Sequence, residues 1–392
     1  MMESGSNERP VHACDSMNFE FSPEQLQIKE EARRVLADLS SPAAVRKVLD
    51  SGAGLDRSLW TILGELGFLG AAIPEEYGGT GAGDLELCAI AEEIGRSLAA
   101  VPFSSSICLG APLILTAGSE RQKAAWLPRL ARGASIACVA VTEGPGQPVP
   151  AAIQARVDAG ALTGSKLPVL DGAIADLAIV AARNGDHVSL YLVELDGPGV
   201  SRSPLTTIDP TRGQARLEFR GAPAELLAVD GWDVLTTALD RAAVLAAFEQ
   251  VGGAERAMEM ARDYALERYA FGRPIGSFQA IKHKLVDMYV AVVLARSNCY
   301  YGAWALSQGT ADLPEAAAAA RVSATQAYQL CAKENIQVHG GMGFTWDLDC
   351  HLYYRRAHLL ALSLGGLSHW QDRLIGQLRE RRSTSAGTSH EL

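Results

Sequence analysis

Residues 279–299 read QAIKHKLVDMYVAVVLARSNC, and their spacing decides how much of the chain is built. Ile281, Leu285, Met288, Val292, Ala295 and Cys299 recur at alternating steps of four and three. On an α-helix that spacing lays one apolar stripe down one face, as in an antiparallel bundle. Just downstream, Asp312-Leu313-Pro314-Glu315 resembles a capping box, with proline tolerated in the first turn of the next helix. The alanine run Ala316 to Ala320 that follows is high helix propensity, not a linker. Long helices are therefore expected from about Trp232 to Leu378.

Upstream of this zone the character changes. Between about Val139 and Val229 the apolar runs Leu177 to Ala182, Val188 to Val193 and Ala215 to Phe219 have strand length. The first two are joined through Asn184-Gly185, a hairpin signal. Asp158-Ala159-Gly160 and Asp196-Gly197-Pro198-Gly199 mark further turns. From about Ser22 to Leu130 the text is helical again, interrupted at Ile73-Pro74-Glu75-Glu76-Tyr77-Gly78-Gly79. No internal repeat is visible. The expected fold is mainly α with a central β domain. It comprises a disordered leader (1–20), an N-terminal α domain (21–135), a middle β-barrel or sandwich (136–230), a C-terminal four-helix bundle (231–380) and a tail (381–392).

Bulk composition narrows the function. Apolar residues are 48% and charged residues 20% of the 392, a globular balance. A net charge of −10 lacks the basic stripe of a nucleic-acid binder, so any anionic ligand must be held by local donors. No apolar run reaches the roughly 18 to 20 residues of a membrane span, and the polar start is not a secretory signal. Seven scattered cysteines include no Cys-x-x-Cys pair, so neither a metal site nor a disulfide framework is expected, and a cytoplasmic setting fits.

Two segments carry chemistry. Arg268-Tyr269-Ala270-Phe271-Gly272-Arg273-Pro274-Ile275-Gly276-Ser277-Phe278-Gln279 ends one helix and opens another. Its leading guanidinium, at the helix stop, can complement the helix C-terminus or grip a pyrophosphate with two parallel bonds. Gln337-Val338-His339-Gly340-Gly341-Met342-Gly343 places three glycines in four positions after a helix, where bare backbone can approach phosphate. Alone, each is also an ordinary capped turn, and His339 alone is a hydrogen-bonded turn residue.

Together, and with Ile73 to Gly79, Gly118-Ser119-Glu120-Arg121-Gln122-Lys123 and Leu127-Pro128, they resemble the acyl-CoA dehydrogenase family from about Phe21 to Leu378. The order α, β, α-bundle agrees. The resemblance implies FAD, an acyl-CoA substrate, a tetramer with the cofactor held across a subunit interface, and electron-transfer flavoprotein as a candidate acceptor. Arg268, Phe271, Gln279, Gln337, Val338, His339, Gly340 and Gly341 match positions that hold the ADP part of the neighbouring subunit's FAD. Thr142, in Val141-Thr142-Glu143, matches a contact to the flavin ring of the same subunit's site.

The sequence departs from the family where catalysis is expected. A thioester α-proton is weakly acidic, and near neutral pH its removal needs a carboxylate in a desolvated pocket. Aligned on Arg355-Arg356-Ala357, the usual glutamate falls on Leu364. The alternative seat used by some members, 26 positions before Arg268, is Ala242. After Thr142-Glu143 the family's Pro-Gly-Ala-Gly-Ser-Asp is replaced by Gly144-Pro145-Gly146-Gln147-Pro148-Val149, and its ring-flanking Trp and Thr by Pro168 and Leu170. Losses confined to one half of a site are not random drift.

Three functions are compatible with that split. In the first, the chain is a subunit of a heteromeric dehydrogenase whose homologous partner brings the base, as the likeness of Gly341 to Trp346 and His351-Leu352-Tyr353 to bacterial steroid side-chain dehydrogenases implies. In the second, a homotetramer uses a displaced base, with Asp347, Asp349 or Glu249 as candidates. Glu249 lies two turns beyond Ala242 on the same face, roughly 10 Å on. For each of these a salt-bridged or solvated carboxylate is the plainer expectation. The third is a flavin monooxygenase of the same fold, which needs no α-proton base. Arg355-Arg356 and Arg381-Arg382 read as solvated helix face and tail, not as clamps for CoA phosphate.

Overall fold

The computed structural model describes residue 19 and residues 21–388, with side chains to residue 382, so most of the expected leader and residues 389–392 lie outside the described residues. The N-terminal unit holds α1 (Pro23–Leu39), α2 (Pro42–Ser51), α3 (Arg57–Glu65), α4 (Asp84–Arg96), α5 (Ala111–Ala117) and α6 (Glu120–Ala131). A wide-turned helical segment, Phe103–Gly110, precedes α5. Full capping boxes open α1 and α6. In each, a serine hydroxyl (Ser22, Ser119) accepts from the backbone N–H of a glutamine three residues on, and that glutamine's side chain returns the bond. The box expected at Asp312 does not form. Asp312 has helical backbone (φ −79°, ψ −7°) and makes no side-chain cap bond.

The middle unit runs β1 (Ala137–Ala140), β2 (Arg156–Asp158), β3 (Ala161–Leu170), β4 (Leu177–Asn184), β5 (His187–Glu194), β6 (Val200–Leu205), β7 (Gln214–Pro223) and β8 (Glu225–Ala228). They form one mixed sheet ordered β6-β7-β3-β2-β4-β5-β8, with β1 parallel to β4. The apolar run in β4 is buried on both faces, which suits a continuous rather than alternating pattern. Ala178, Val180 and Ala182 enter one core cluster, and Leu177, Ile179 and Ala181 a second. Asn184 pairs with His187, so the hairpin loop is Gly185-Asp186, one residue later than expected, with Gly185 at φ 60°. Strand pairing extends past the apolar run and takes in Asn184.

The last unit is α7 (Gly231–Glu267), a short hairpin of β9 (Tyr269–Ala270) and β10 (Arg273–Pro274), α8 (Gln279–Gln308), α9 (Leu313–His339), α10 (Cys350–Leu362) and α11 (Leu367–Thr388). The helix α11 continues past Arg381, where a tail was expected. In α8 the stripe Met288, Val292, Ala295 and Cys299 is fully buried, with Ile281 and Leu285 against the core. The centre of α7 is buried from Ala242 to Ala254. There it crosses α4 backbone to backbone: a Cβ on Gly95 would lie 1.8 Å from the Glu249 carbonyl oxygen, and one on Gly252 1.9 Å from that of Glu92. Only glycine permits that approach.

Candidate active site

The helix α7 stops at Glu267, and Arg268 turns into extended backbone (φ −78°, ψ 124°). β9 and β10 then pair around the two-residue loop Phe271-Gly272, whose φ values are 54° and 78°. Tight hairpins require that handedness. Glycine adopts it freely, but a side chain with a Cβ is strained by about 1–2 kcal/mol. Phe271 is nonetheless 95% exposed, with an edge-to-face contact to Phe278 at 6.1 Å, so little in its own chain offsets the strain.

Next to the hairpin lies the end of α9. Tyr264 of α7 stacks on His339 of α9, with ring centroids 4.2 Å apart, which sets the two helix ends side by side. Gly340 leaves the helix at φ 61°, and a Cβ on Gly340 or Gly341 would meet nothing within 4 Å. Arg268, Gln279 and Gln337 are exposed, and among the described residues their side chains have no partner. Val338 and His339 turn inward instead. Val338 joins the core, and His339 donates from Nδ1 to the Asn335 carbonyl at 2.8 Å. Burial holds the imidazole pKa below its ordinary value, so the ring is neutral near pH 7.

On the middle unit, the Leu167 N–H donates to the Thr142 carbonyl at 2.8 Å, bringing Thr142 beside Pro168. Glu143 meets the buried Lys166 ammonium at 2.6 Å and accepts from the N–H groups of Gln154 (2.8 Å) and Ala155 (3.0 Å). Burial pulls the Lys166 pKa down, and Glu143 opposes it. This pair ties down the loop from Gly144 to Ile153. Pro168 is exposed and Leu170 half-buried, so those two side chains offer no polar atom.

The two positions aligned with the family's base both lie at one core cluster. Leu364 packs against both core clusters, and Ala242 belongs to one of them. Leu364 has φ 61°, again unfavourable for a side chain with a Cβ. The sequence-derived carboxylates lie in other settings. Glu249 is buried between Arg212 (3.6 Å) and Arg356 (3.7 Å), Asp349 pairs with Arg46 at 2.8 Å, and Asp347 is exposed.

A buried carboxylate that sequence reasoning missed is Asp240, two residues before Ala242. It sits 2.5 Å from the Arg373 guanidinium, with Oδ1 unpaired. Burial raises its pKa against the pull of Arg373. Arg356, expected on a solvated face, is fully buried and pairs with Asp209 at 2.7 Å. No local signal marks either, because the partners are 133 and 147 residues away.

Two family descriptions match the chain: "Acyl-CoA dehydrogenase, N-terminal domain" over residues 22–134 and "Acyl-CoA dehydrogenase, C-terminal domain" over residues 229–377. The chain belongs to the acyl-CoA dehydrogenase family. Acyl-CoA dehydrogenase IpdE2 of Mycobacterium tuberculosis is 36% identical over 342 residues, 86% of this chain and 92% of the relative. Acyl-CoA dehydrogenase FadE27 of the same organism is 32% identical over 337 residues, 83% of this chain and 89% of the relative.

Among solved structures, a single-residue variant of the Tcur3481-Tcur3483 steroid ACAD has a TM-score of 0.84 at 30% identity, covering 92% of this chain and 99% of that one. The ChsE4-ChsE5 complex from Mycobacterium tuberculosis has a TM-score of 0.85 at 29% identity, with 93% and 99% covered. As an acyl-CoA dehydrogenase the chain is an oxidoreductase whose cofactor is FAD. Its residues fit that group: a free guanidinium, free amides, uncovered glycine backbone and an uncovered aromatic suit a dinucleotide. No helix among the described residues is long and apolar enough to cross a membrane.

Proposed function

We propose that this acyl-CoA dehydrogenase is one subunit of a heteromer that desaturates an acyl-CoA thioester between Cα and Cβ, and that it supplies the ADP-facing half of an FAD site completed by a homologous partner. The carrying observation is the contrast between side chains of Arg268, Gln279 and Gln337 that face outward unpaired and the two base positions of the family, which here hold Leu364 and Ala242. Bound FAD supplies the hydride acceptor. Arg268 would hold the pyrophosphate, Gln279 and Gln337 would bond the ADP moiety, and the main chain from Val338 to Gly341 would pack against it. Phe271 covers it. The partner would supply the ring-facing half, of which Thr142 is what remains in this chain. The partner's carboxylate takes the α-proton.

Support for a partner also comes from surface chemistry. Val286, Tyr289, Val290, Val293 and Leu294 form a second, exposed apolar face on α8, and Phe344 is 89% exposed. Apolar area on that scale belongs in an interface. Because similar chains are described as a steroid ACAD and as part of a two-component complex, the substrate we propose is a steroidal acyl-CoA and the assembly a heterotetramer. A chain in a structure described as the electron transferring flavoprotein of Acidaminococcus fermentans is 27% identical, with a TM-score of 0.86. Electron-transfer flavoprotein is the acceptor we propose.

The test is co-expression with a neighbouring homologue, followed by FAD per chain and anaerobic titration with acyl-CoA. Flavin retained and bleached only in the co-purified complex is the expected result. A stable homotetramer of this chain alone, with full FAD and acyl-CoA turnover, would overturn it and favour a displaced base.

A further inference from the structure

The loop that carries the empty base seat is held more firmly than a disused one needs to be. Arg321 of α9 is fully buried, and no carboxylate lies within ion-pair distance of it among the described residues. Burial pushes its pKa down to about 10, with Glu249 opposing, so it is still a cation near pH 7. A buried cation must be hydrogen-bonded. Its donors reach the carbonyls of Leu360 and Ser363 (2.6 Å to Ser363) and the Gln250 side chain, closing the C-terminal end of α10 one residue before Leu364.

From the other side, Trp370 of α11 is buried, and its indole N–H donates to the Leu364 carbonyl at 3.1 Å. His369 packs on Gly365 so closely that a Cβ there would lie 2.8 Å from its Cδ2. Between these holds Leu364 keeps its left-handed backbone and lays its half-buried side chain against two core clusters, one of which contains Ala242. A residue without a task would relax toward an ordinary backbone conformation or be replaced by glycine. Here contacts from two helices over-determine it.

We infer that Leu364 is a plug, and that Arg321 and Trp370 are positioning residues that keep it seated, so that this chain's own side of the assembly excludes an acyl-CoA thioester and only the partner's side accepts one. The inference rests on the heteromeric function proposed above and adds which side is closed and by what.

The co-expressed complex is titrated by calorimetry with an unreactive acyl-CoA analogue carrying sulfur at the β-position. The wild-type complex is expected to bind one analogue per pair of unlike subunits. Leu364→Gly, which removes the plug and suits φ 61°, and Leu364→Ala are expected to bind two. Trp370→Phe and Arg321→Met are expected to gain a second, weaker binding event. Arg321→Lys, which keeps a buried donor for the carbonyls, is not. A single site in a Leu364→Gly or Leu364→Ala complex that elutes and melts like wild type overturns the plug while leaving the heteromer standing. Tight analogue binding by the wild-type chain purified alone with FAD overturns both.

Discussion

Phe271 and Arg268 do different work although they lie three residues apart. Phe271 is strained and largely uncovered, so Phe271→Gly should keep or raise the stability of the isolated chain, by about 1 kcal/mol at most, while the purified complex loses flavin. That pairing of effects is what a residue kept for a ligand shows. Arg268→Ala should leave stability within about 0.5 kcal/mol, since the side chain is exposed and unpartnered. It should also weaken FAD retention roughly tenfold to a hundredfold, the worth of about one charge-assisted bond. Flavin absorbance per chain after dialysis, set beside a thermal melt, checks both. An equal loss of stability in either variant would assign these residues to the fold instead.

Among the elements, what could be read from the sequence followed from what is local. The inner stripe of α8 was legible because burial against its own bundle repeats with the helix. Its outer face, Val286 to Leu294, was not, because the same text carries two apolar stripes and spacing alone does not say what the second one meets. Asp312 looked like a cap by composition and failed by backbone angle, whereas Ser22 and Ser119 form full boxes. The helix stop at Arg268 and the glycine turn at Gly340 were legible as motif. Asp240 with Arg373, and Arg356 with Asp209, were not, since each pair is closed only by the tertiary fold. The crossing of α4 and α7 belongs to the same class. Gly252→Ala would push a methyl into the Glu92 carbonyl, so a loss of about 3 kcal/mol or more is expected from the denaturant midpoint. Gly341→Ala, whose Cβ meets nothing in this chain, should cost the isolated fold far less.

At the scale of the molecule, one buried ionic group joins all three units. Arg212 meets Asp171 at 3.1 Å and the Ser104 hydroxyl at 2.7 Å, while Arg356 bonds Asp209 and the Thr211 hydroxyl (2.9 Å), with Glu249 between the two guanidinium groups. Burial alone would raise the Asp209 pKa, but Arg356 and Thr211 more than offset it and hold it below the ordinary carboxylate range. A carboxyl depressed in the folded state gives stability that is full above its unfolded value, near 4, and fades as the pH falls through the folded one. Arg356→Met should therefore cost about 3–5 kcal/mol at neutral pH by leaving Asp209 buried and unpaired. The gap to wild type should also narrow toward acid, because without Arg356 burial raises the Asp209 pKa and protonation relieves the penalty, which urea melts at about pH 4 and pH 7 can read. The glycine contacts between α4 and α7 carry a last consequence. Notched together at Gly95 and Gly252 like crossed timbers, these two helices can neither slide nor roll without first lifting apart. Any widening between these units must therefore come from movement of loops and side chains, and not from hinging one helical unit away from the other.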